Sequence, residues 1–251
     1  MNVHDTGRVI LPDFLKSCER CPARFGGVCD NIDLDALAAL NRLAHHRTYE
    51  AGQVIFSESE QPDFFANILS GAVKLTKSLA DGRQQIVGLQ FPPDFLGRAF
   101  GQSHACFAEA ATRVELCCYP ADAFQALLQK YPDLEHRLLE KTLDELDAAR
   151  EWMVLLGRKT AREKVASFLM LLARRTNKAA CPACAEESSI TFTIPLKRAD
   201  IADYLGLTIE TVSRQITHLR HEGIIETGAA GEVFVPDIAA LQAAAGQTEG
   251  A

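Results

Sequence analysis

The segment LKRADIADYLGLTIETVSRQITHLRHEGII, residues 196–225, constrains the fold more than any other part of the chain. Its apolar spacing predicts two short helices, with Gly206 at a left-handed turn between them and Thr208 capping the second helix. The next residues, IIETGAAGEVFV, predict a β-hairpin that turns near Gly228 and Gly231. Helix, tight turn, helix and hairpin in this order predict a DNA-binding winged helix-turn-helix, whose second helix enters the major groove. The predicted buried residues are Ile201, Ala202, Leu205, Leu207, Val212, Ile216 and Leu219.

Polar residues at the start of the second helix are predicted to contact DNA. The Glu210 carboxylate can accept a hydrogen bond from a cytosine amino group, and the Arg214 guanidinium can donate two to a guanine. Neighbouring hydroxyl and amide side chains can reach base edges or phosphates. The predicted DNA contacts are Thr208, Glu210, Thr211, Ser213, Arg214 and Gln215.

The charge of the chain is unevenly distributed. The formal net charge of the 251 residues is −7, yet residues 150–220 contain twelve Lys and Arg against seven Asp and Glu. A basic segment in an otherwise acidic chain is typical of a DNA-binding domain. The sequence contains no run of about 18 apolar residues and therefore predicts no membrane span. The N-terminus lacks the pattern of a secretory signal. We therefore expect a cytoplasmic protein with no membrane partner and no catalytic function.

The chain before this segment predicts a β-barrel followed by a long helix. Residues 33–46 have helical periodicity, and short β-rich runs extend from Thr48 to about Cys118, with a tight hairpin turn at Asp81–Gly82. Residues 132–159 predict one helix. The predicted fold class is α+β, with an N-terminal β-barrel or jelly roll, a long helix and a C-terminal winged helix-turn-helix. The predicted domains are 1–31, 32–131, 132–159 and 160–240, followed by a tail at 241–251.

The long helix is the predicted dimer interface, since a surface helix of roughly 40 Å is unusual without a partner. Its spacing allows two seams. One runs through Leu139, Thr142, Leu146, Ala149, Met153 and Leu156, and the other through Leu143, Asp147, Arg150 and Val154. Charges in the second seam would weaken pairing, because their burial costs desolvation. The predicted interface residues are Leu139, Leu143, Leu146, Asp147, Arg150, Met153 and Val154.

Three cysteines near the N-terminus, Cys18, Cys21 and Cys29, have the spacing C-x2-C-x7-C. In a cytoplasmic protein such thiols favour metal binding or redox chemistry over disulfides. A fourth ligand must come from elsewhere in the chain. Four thiolates suit an iron–sulfur cluster or zinc, but a structural zinc site usually presents two tight pairs. The remaining cysteines are Cys106, Cys117, Cys118, Cys181 and Cys184.

The run TIETVSRQITHLRHEGII, placed after a predicted barrel and a long helix, resembles the CRP/FNR family of transcription regulators. The resemblance spans nearly the whole chain and implies a homodimer that binds palindromic DNA. The pattern of Glu210, Ser213 and Arg214 is similar to the FNR branch, which implies a site resembling TTGAT-N4-ATCAA. A contact of Asp81–Gln84 with RNA polymerase is implied by family position alone.

The same resemblance, closest to the FnrL type, implies an oxygen-sensing [4Fe–4S] cluster on the cysteine trio and one distant cysteine. Cys117 is the implied fourth ligand, because CCYP places it three residues before Pro120. Cys118 is the alternative, and only one of the two can face the N-terminal segment because successive strand residues face opposite sides. We expect the loaded cluster to favour the dimer and oxygen to reverse this. The predicted metal ligands are Cys18, Cys21, Cys29 and Cys117.

The sequence leaves room for regulatory ligands other than an iron–sulfur cluster. The nucleotide-binding branch of the family uses a glycine–glutamate pair and then an arginine, whereas Gly97 is followed here by Arg98, so we expect no cyclic nucleotide. A regulator that responds to haem or another small molecule, and a zinc-stabilised DNA-binding protein without oxygen sensing, stay as alternatives. The pair Cys181 and Cys184 indicates a loop insertion or an accessory redox or metal site. Scattered histidines indicate surface or capping roles, namely His45, His46, His104 and His136.

Overall fold

The computed structural model describes Lys16 and residues 18–180 and 188–246. The described residues confirm the predicted α+β fold class. The strands are β1 (His45–Tyr49), β2 (Val54–Phe56), β3 (Phe64–Ser70), β4 (Val73–Ser78), β5 (Gln84–Gln90), β6 (Phe95–Leu96), β7 (Phe107–Ala110), β8 (Val114–Pro120), β9 (Ile190–Thr193), β10 (Glu226–Thr227) and β11 (Glu232–Val235). The helices are α1 (Leu34–Leu43), α2 (Ala121–Lys130), α3 (Pro132–Arg158), α4 (Ala161–Ala180), α5 (Arg198–Leu205), α6 (Ile209–His221) and α7 (Ile238–Ala244).

Strands β1 to β8 form two antiparallel sheets with the orders β1-β8-β3-β6 and β2-β7-β4-β5. Alternate residues along a strand face opposite sides of its sheet. Both sheets contribute their inward-facing residues to one apolar core, which holds them together as a barrel. The core residues are Ile55, Phe56, Phe64, Ala66, Ile68, Val73, Leu96, Ala108, Ala110, Val114, Leu116 and Cys118.

The turns of the barrel follow its glycines. Gly71 connects β3 to β4 with φ of +87°, and a Cβ there would lie 2.2 Å from the carbonyl oxygen of Arg113, so a larger residue does not fit. The predicted hairpin at Asp81–Gly82 joins β4 to β5, but only Gly82 has left-handed backbone. The two-residue turn predicted from sequence is therefore wrong, and the connection spans residues 79–83.

The outer face of the sheet β1-β8-β3-β6 is covered by α1, α2 and the first turns of α3. Helix α1 buries Leu37 and Leu40 against this face. The helix predicted over residues 33–46 is shorter than expected, because it ends at Leu43 and the chain enters β1 at His45. The sheet therefore has an apolar cluster on each side, one inside the barrel and one beneath these helices.

Helix α3 follows the predicted range 132–159 to within one residue, and it begins with Pro132 at its first position. Its buried residues are Leu134 and Leu138, which lie in the first two turns. The rest of the helix is largely exposed in the single chain. In the part of the chain that the structure describes, no helix is both long enough and apolar enough to cross a membrane.

The C-terminal region is the predicted winged helix-turn-helix. Gly206 has φ of +61° between α5 and α6, and the Thr208 hydroxyl oxygen accepts a hydrogen bond from the backbone amide of Thr211 at 3.2 Å. Strands β9, β10 and β11 form the wing sheet in the order β10-β11-β9. Leu207 is half-buried at the edge of the core. The other predicted core residues are all buried, namely Ile201, Ala202, Leu205, Val212, Ile216 and Leu219.

Several contacts join the winged domain to the rest of the chain through α5. The ammonium of Lys74 on β4 lies 2.8 Å from the Asp200 carboxylate and 2.9 Å from the Glu109 carboxylate. Trp152 of α3 stacks on Tyr204 with the ring centroids 5.7 Å apart and the planes 29° from parallel. The first helix of the DNA-binding unit is therefore held by both the barrel and the long helix.

Candidate cysteine-lined metal centre and nucleic-acid interface

The N-terminal cysteines lie in a short irregular segment that packs on the outer face of the barrel. A 3-10 turn, Pro22–Arg24, follows Cys21. The segment then passes through two glycines to Cys29, which is buried together with Ala23 and Phe65 in the cluster outside the sheet. The segment is thus anchored by apolar burial rather than by regular secondary structure.

A cavity of about 160 Å³ lies between this segment, α1 and β8. It has room for about five water molecules at about 30 Å³ each. All four predicted metal ligands border it, namely Cys18, Cys21, Cys29 and Cys117. Other residues around it include Leu37, Leu40, Asn41, His46, Leu69 and Tyr119.

Cys117 and Cys118 are consecutive residues of β8, and their side chains face opposite sides of the sheet. Cys117 faces outward into the apolar residues packed beneath α1 and α2, as does Tyr119. Cys118 faces the barrel interior and is fully buried in the core there. Cys117 is paired in register with His46 on β1 and Asn67 on β3. The alternation of the strand thus turns Cys117, and not Cys118, toward the N-terminal cysteines.

A buried hydrogen-bond network contacts two of the thiols. The Asn67 side-chain amide donates to the Tyr119 hydroxyl oxygen at 3.0 Å and lies 3.5 Å from the Cys29 sulfur. The Tyr119 hydroxyl lies 3.4 Å from the Cys117 sulfur and 3.8 Å from the Cys29 sulfur. Neither Asn67 nor Tyr119 was identified from sequence, although the strand alternation that aligns Tyr119 with Cys117 was available as a signal.

Burial keeps three thiols of this site, those of Cys21, Cys29 and Cys117, in the neutral form. Burial raises the pKa of Cys29 to about 12 and that of Cys117 to about 11, although the hydrogen bond to Tyr119 lowers both. Burial also raises the pKa of Cys21. A metal site built on these residues must therefore release their protons as it is loaded.

The donor set fits a cluster better than it fits a single ion. Among the residues that the structure describes, no group of three or more His, Cys, Asp or Glu side chains converges closely enough to hold one metal ion. A zinc ion held by all four cysteines would need their sulfurs at about 2.3 Å from one point. The four cysteines here are instead distributed around a cavity, and a [4Fe–4S] cluster binds one thiolate at each of four iron atoms.

Arg137 joins the cysteine segment to the start of α3. Its guanidinium donates to the backbone carbonyl of Gly27 at 3.1 Å and to the Asp30 carboxylate at 3.0 Å. It also pairs with Glu140 at 2.8 Å. Because Gly27 and Asp30 flank Cys29, one side chain of the long helix holds both sides of a predicted ligand. This link carries no periodic signal in the sequence, so sequence reasoning missed it.

Most of the exposed large apolar residues of α3 form one seam. Leu139, Leu143, Leu146 and Met153 are all exposed and recur with the average spacing of 3.5 residues that brings side chains to one face of a paired helix. The seam takes residues from both of the seams considered in the sequence. Arg150 occupies the remaining position, where it pairs with Asp147 at 2.7 Å within the same chain. Val154 is also exposed, beside Met153.

The predicted DNA-contacting residues lie together at the N-terminal end of α6. Thr208, Glu210, Ser213 and Arg214 are exposed, whereas Thr211 and Gln215 are half-buried. Hydrogen bonds from the backbone amide at the start of the helix and from the Thr208 hydroxyl lower the pKa of Glu210, so its carboxylate is charged. This end of the helix therefore presents one strong acceptor and one guanidinium donor close to each other.

Two other sequence predictions have different outcomes. His104 is buried and its ring stacks on Phe56 at 3.6 Å, so a surface or capping role is wrong for this histidine. An aromatic partner across the barrel outweighs the preference of histidine for water at this position. The pair Cys181 and Cys184 lies outside the described residues.

Comparisons with known proteins agree with both parts of the fold. The sequence profile of the Crp-like helix-turn-helix domain matches residues 163–244, and that of the cyclic nucleotide-binding domain matches residues 46–131. The transcriptional activator protein FnrL of Cereibacter sphaeroides is 45% identical over 236 residues, which cover 94% of each chain. The nitrogen fixation regulation protein FixK of Bradyrhizobium diazoefficiens is 39% identical over 208 residues, covering 83% of this chain and 85% of the relative.

A solved structure shares the architecture. FixK2 from Bradyrhizobium japonicum matches with a TM-score of 0.72 and 32% identity, covering 83% of this chain and 99% of that one. The helix-turn-helix domain and the regulator relatives support DNA binding and dimerisation. The chain belongs to the CRP/FNR family of transcription regulators.

Proposed function

We propose that this protein is an oxygen-responsive transcription regulator that holds a [4Fe–4S] cluster on Cys18, Cys21, Cys29 and Cys117. The observation that carries the proposal is that these four thiols border one cavity, next to the helix that presents an exposed apolar seam. The likeness to the transcriptional activator protein FnrL over 94% of the chain supports the transcription-regulator part of the proposal.

The residues around the cavity have distinct tasks in this proposal. When bound, the cluster supplies an iron centre that dioxygen can degrade. The four cysteines give up their protons and bind iron as thiolates. Leu37 and Leu40 cover the site and limit the access of water. Cys118 takes no part, since it faces the barrel core.

Arg137 links this site to dimerisation. A group held by Cys29 would restrict residues 27–30, and these residues accept two hydrogen bonds from the Arg137 guanidinium, one at the Gly27 backbone carbonyl and one at the Asp30 carboxylate. The start of α3 becomes fixed, and the seam of Leu139, Leu143 and Met153 is presented to a second copy. Arg150 opposes pairing because a buried charge costs desolvation. The unloaded chain is therefore monomeric and the loaded chain dimeric.

The dimer reads DNA through two copies of α6. Paired winged domains set their second helices about one DNA turn apart, so each reads one half of a palindrome. With Glu210 and Arg214 as base readers, the proposed site resembles TTGAT-N4-ATCAA. The exposed hairpin at Asp81–Gln84 is the proposed contact with RNA polymerase.

The barrel is proposed to act without a cyclic nucleotide. In this chain Gly97 is followed by Arg98, whose aliphatic part packs over Gly101, where a Cβ would lie 2.6 Å from the Arg98 Cδ. A carboxylate at this position could accept hydrogen bonds from ribose hydroxyls, whereas a guanidinium has no acceptor. Regulation by haem or by another small molecule is a separate alternative, and the test below distinguishes it from the cluster.

The test is anaerobic purification followed by iron, sulfide and zinc analysis, with an absorption spectrum before and after exposure to air. We expect about four iron and four sulfide per chain, with visible absorbance that bleaches in air. Sedimentation of the same sample should change from dimer toward monomer on bleaching. A colourless chain that contains zinc or no metal, or a spectrum of haem, would contradict the cluster proposal and leave the DNA-binding assignment intact.

A further inference from the structure

Asn67 is an unusual residue for its position. It lies in the middle of β3, on the outward face beneath the helices, and no part of it is exposed. Its neighbours along the strand on both sides, Ala66 and Ile68, are buried in the barrel core. Within the described residues, the other buried polar or charged side chains are Gln90 and His104.

The side chain of Asn67 is only half satisfied. Its amide nitrogen donates to the Tyr119 hydroxyl and lies 3.5 Å from the Cys29 sulfur, but its carbonyl oxygen is buried without a hydrogen-bond partner in the part of the chain described. An unpaired buried oxygen opposes folding, and an apolar residue of similar size avoids this penalty. The stability of the barrel alone therefore does not explain an asparagine here.

The N–H groups of Asn67 and the O–H group of Tyr119 can donate hydrogen bonds to two sulfurs. The amide of Asn67 has two N–H groups, one directed to the Tyr119 oxygen and one to Cys29. Because the Tyr119 oxygen already accepts from Asn67, its own proton is free to point at Cys117, whose sulfur lies 3.4 Å away. A thiol at Cys117 can instead donate to the same oxygen, so the arrangement serves both the empty and the loaded site.

We propose that Asn67 and Tyr119 are positioning residues that hydrogen-bond to the iron-ligating sulfurs of Cys29 and Cys117. The inference rests on the proposed cluster and specifies how the barrel side of that site is tuned. Hydrogen bonds to a ligating sulfur withdraw charge from it, weaken its bond to iron and stabilise the more reduced cluster, which raises the reduction potential. The proposal assigns this effect to the two ligands that the barrel face contacts directly.

The test compares Asn67→Leu and Tyr119→Phe with Tyr131→Phe in the full-length protein, each prepared without oxygen. Tyr131 packs at the edge of the same apolar cluster, and its ring contacts Lys130. Tyr131→Phe therefore makes the same chemical change as Tyr119→Phe away from the sulfurs. The measurements are iron and sulfide content, the resonance Raman bands of the iron–cysteine bonds, and the midpoint potential from titration with a chemical reductant.

We expect all three variants to load iron and sulfide. In Asn67→Leu and Tyr119→Phe the iron–cysteine bands should move to higher frequency and the midpoint potential to a more negative value, while Tyr131→Phe matches the parent protein. The metal-free Asn67→Leu protein should be as stable to denaturant as the parent or more stable, because the orphaned oxygen is gone. A purely structural asparagine would give the opposite result, with lost stability and unchanged bands.

The outcomes separate the two proposals. If the parent protein loads iron and sulfide but the bands and potentials of the Asn67 and Tyr119 variants equal those of Tyr131→Phe, the positioning role is overturned and the cluster stands. If the parent protein holds no iron and sulfide, the cluster is overturned and the positioning role with it.

Discussion

The guanidinium of Arg137 lies 3.0 Å from the carboxylate of Asp30, and the two residues connect the long helix α3 to the residue after Cys29. Both side chains are largely shielded from water, so the contact is less screened than a surface ion pair. The same guanidinium also holds the Gly27 carbonyl. If this contact carries the state of the cysteine site to α3, its removal should separate loading from dimerisation.

We expect Arg137→Gln to keep the iron content of the parent protein but to form a weaker dimer when loaded. Hydrogen bonds to charged groups contribute about 1.5–3 kcal/mol, which corresponds to roughly tenfold or more in the dimer dissociation constant. Sedimentation velocity under anaerobic conditions measures the change. Lys141→Gln is the matched control, since Lys141 pairs with Asp144 within α3 at 2.9 Å. Equal dimerisation of the two variants would exclude Arg137 as the link.

The adjacent cysteines of β8 offer a sharp test of the ligand set. Cys117→Ala should lose most of the iron and the visible absorbance, because it removes a thiol from the cavity wall. Cys118→Ala should load iron as the parent protein does, because that side chain lies on the opposite face of the strand. Iron analysis after anaerobic purification measures both. Loss of iron in the Cys118 variant alone would reverse the assignment.

Substitutions in the seam of α3 are expected to change the dissociation constant of the dimer in opposite directions. Leu143→Glu should disrupt the loaded dimer by about 2–3 kcal/mol, or roughly a hundredfold in dissociation constant, because it buries a charge at the pairing surface. Arg150→Leu should strengthen the dimer even in the metal-free protein, since it replaces the charge in the seam. Arg158→Leu makes the same change at an exposed position outside the seam and should have little effect. Sedimentation of the three variants, loaded and metal-free, tests the seam.

Base reading by α6 predicts selective losses. Glu210→Ala or Arg214→Ala should reduce discrimination by about 1–3 kcal/mol at one base pair of each half-site. Arg220→Ala, in the last turn of the same helix, should leave the base preference unchanged. Binding titrations on a set of singly substituted palindromes, all at one salt concentration, measure the preference. Uniform weakening on every sequence by the Glu210 and Arg214 variants would mean that they contact the backbone and not the bases.

The ion pair of Lys74 with Asp200, which joins the barrel to the winged domain, should contribute to the free energy of unfolding. Lys74→Met leaves the carboxylates of Asp200 and Glu109 without their cation, and we expect it to lower the free energy of unfolding by about 1–2 kcal/mol. Lys77→Met is the matched control on the same strand, because Lys77 pairs with Glu58 at a more exposed site where the loss should be below about 1 kcal/mol. Denaturant unfolding at neutral pH compares the two.

The same lysine gives a pH dependence. Burial lowers the pKa of Lys74, but its hydrogen bonds to Asp200 and Glu109 outweigh burial and leave that pKa raised. A raised pKa in the folded state means that the stabilisation is complete below the ordinary lysine value of about 10.4 and is lost as the pH rises through the folded value. The difference between the parent protein and Lys74→Met should therefore be constant near neutral pH and shrink above about pH 10.4. A difference that instead shrinks as the solution is made acidic would point to its carboxylate partners.

Local patterns in the sequence predicted the winged domain well. Gly206, Thr208 and the apolar spacing around them act within a few residues of one another, so the helix-turn-helix and its buried face could be derived without knowledge of the rest of the fold. The bounds of α3 could be predicted equally well, because its periodicity is continuous from Pro132 onward.

The candidate metal centre could be predicted only in part from the sequence. Strand alternation implied that Cys117 and Cys118 face opposite sides, but which side meets the N-terminal segment depends on where α1 and α2 pack. The contact of Asn67 with Tyr119 depends on the register between β3 and β8, which join residues 52 positions apart. Arg137 lies still farther from its partner Asp30, and nothing in the neighbouring sequence of either residue marks the pairing.

Trp152 is the single tryptophan of the chain, and it stacks on Tyr204 where the long helix meets the first helix of the DNA-binding unit. The protein thus carries an intrinsic fluorophore at a contact between α3 and the winged domain. The emission of that one indole depends on its surroundings, so a change in this contact can be detected without an added label. Loading, oxidation and DNA binding can each be followed in real time on the unmodified protein, and the order of their kinetic phases will show whether the junction moves before or after the dimer dissociates.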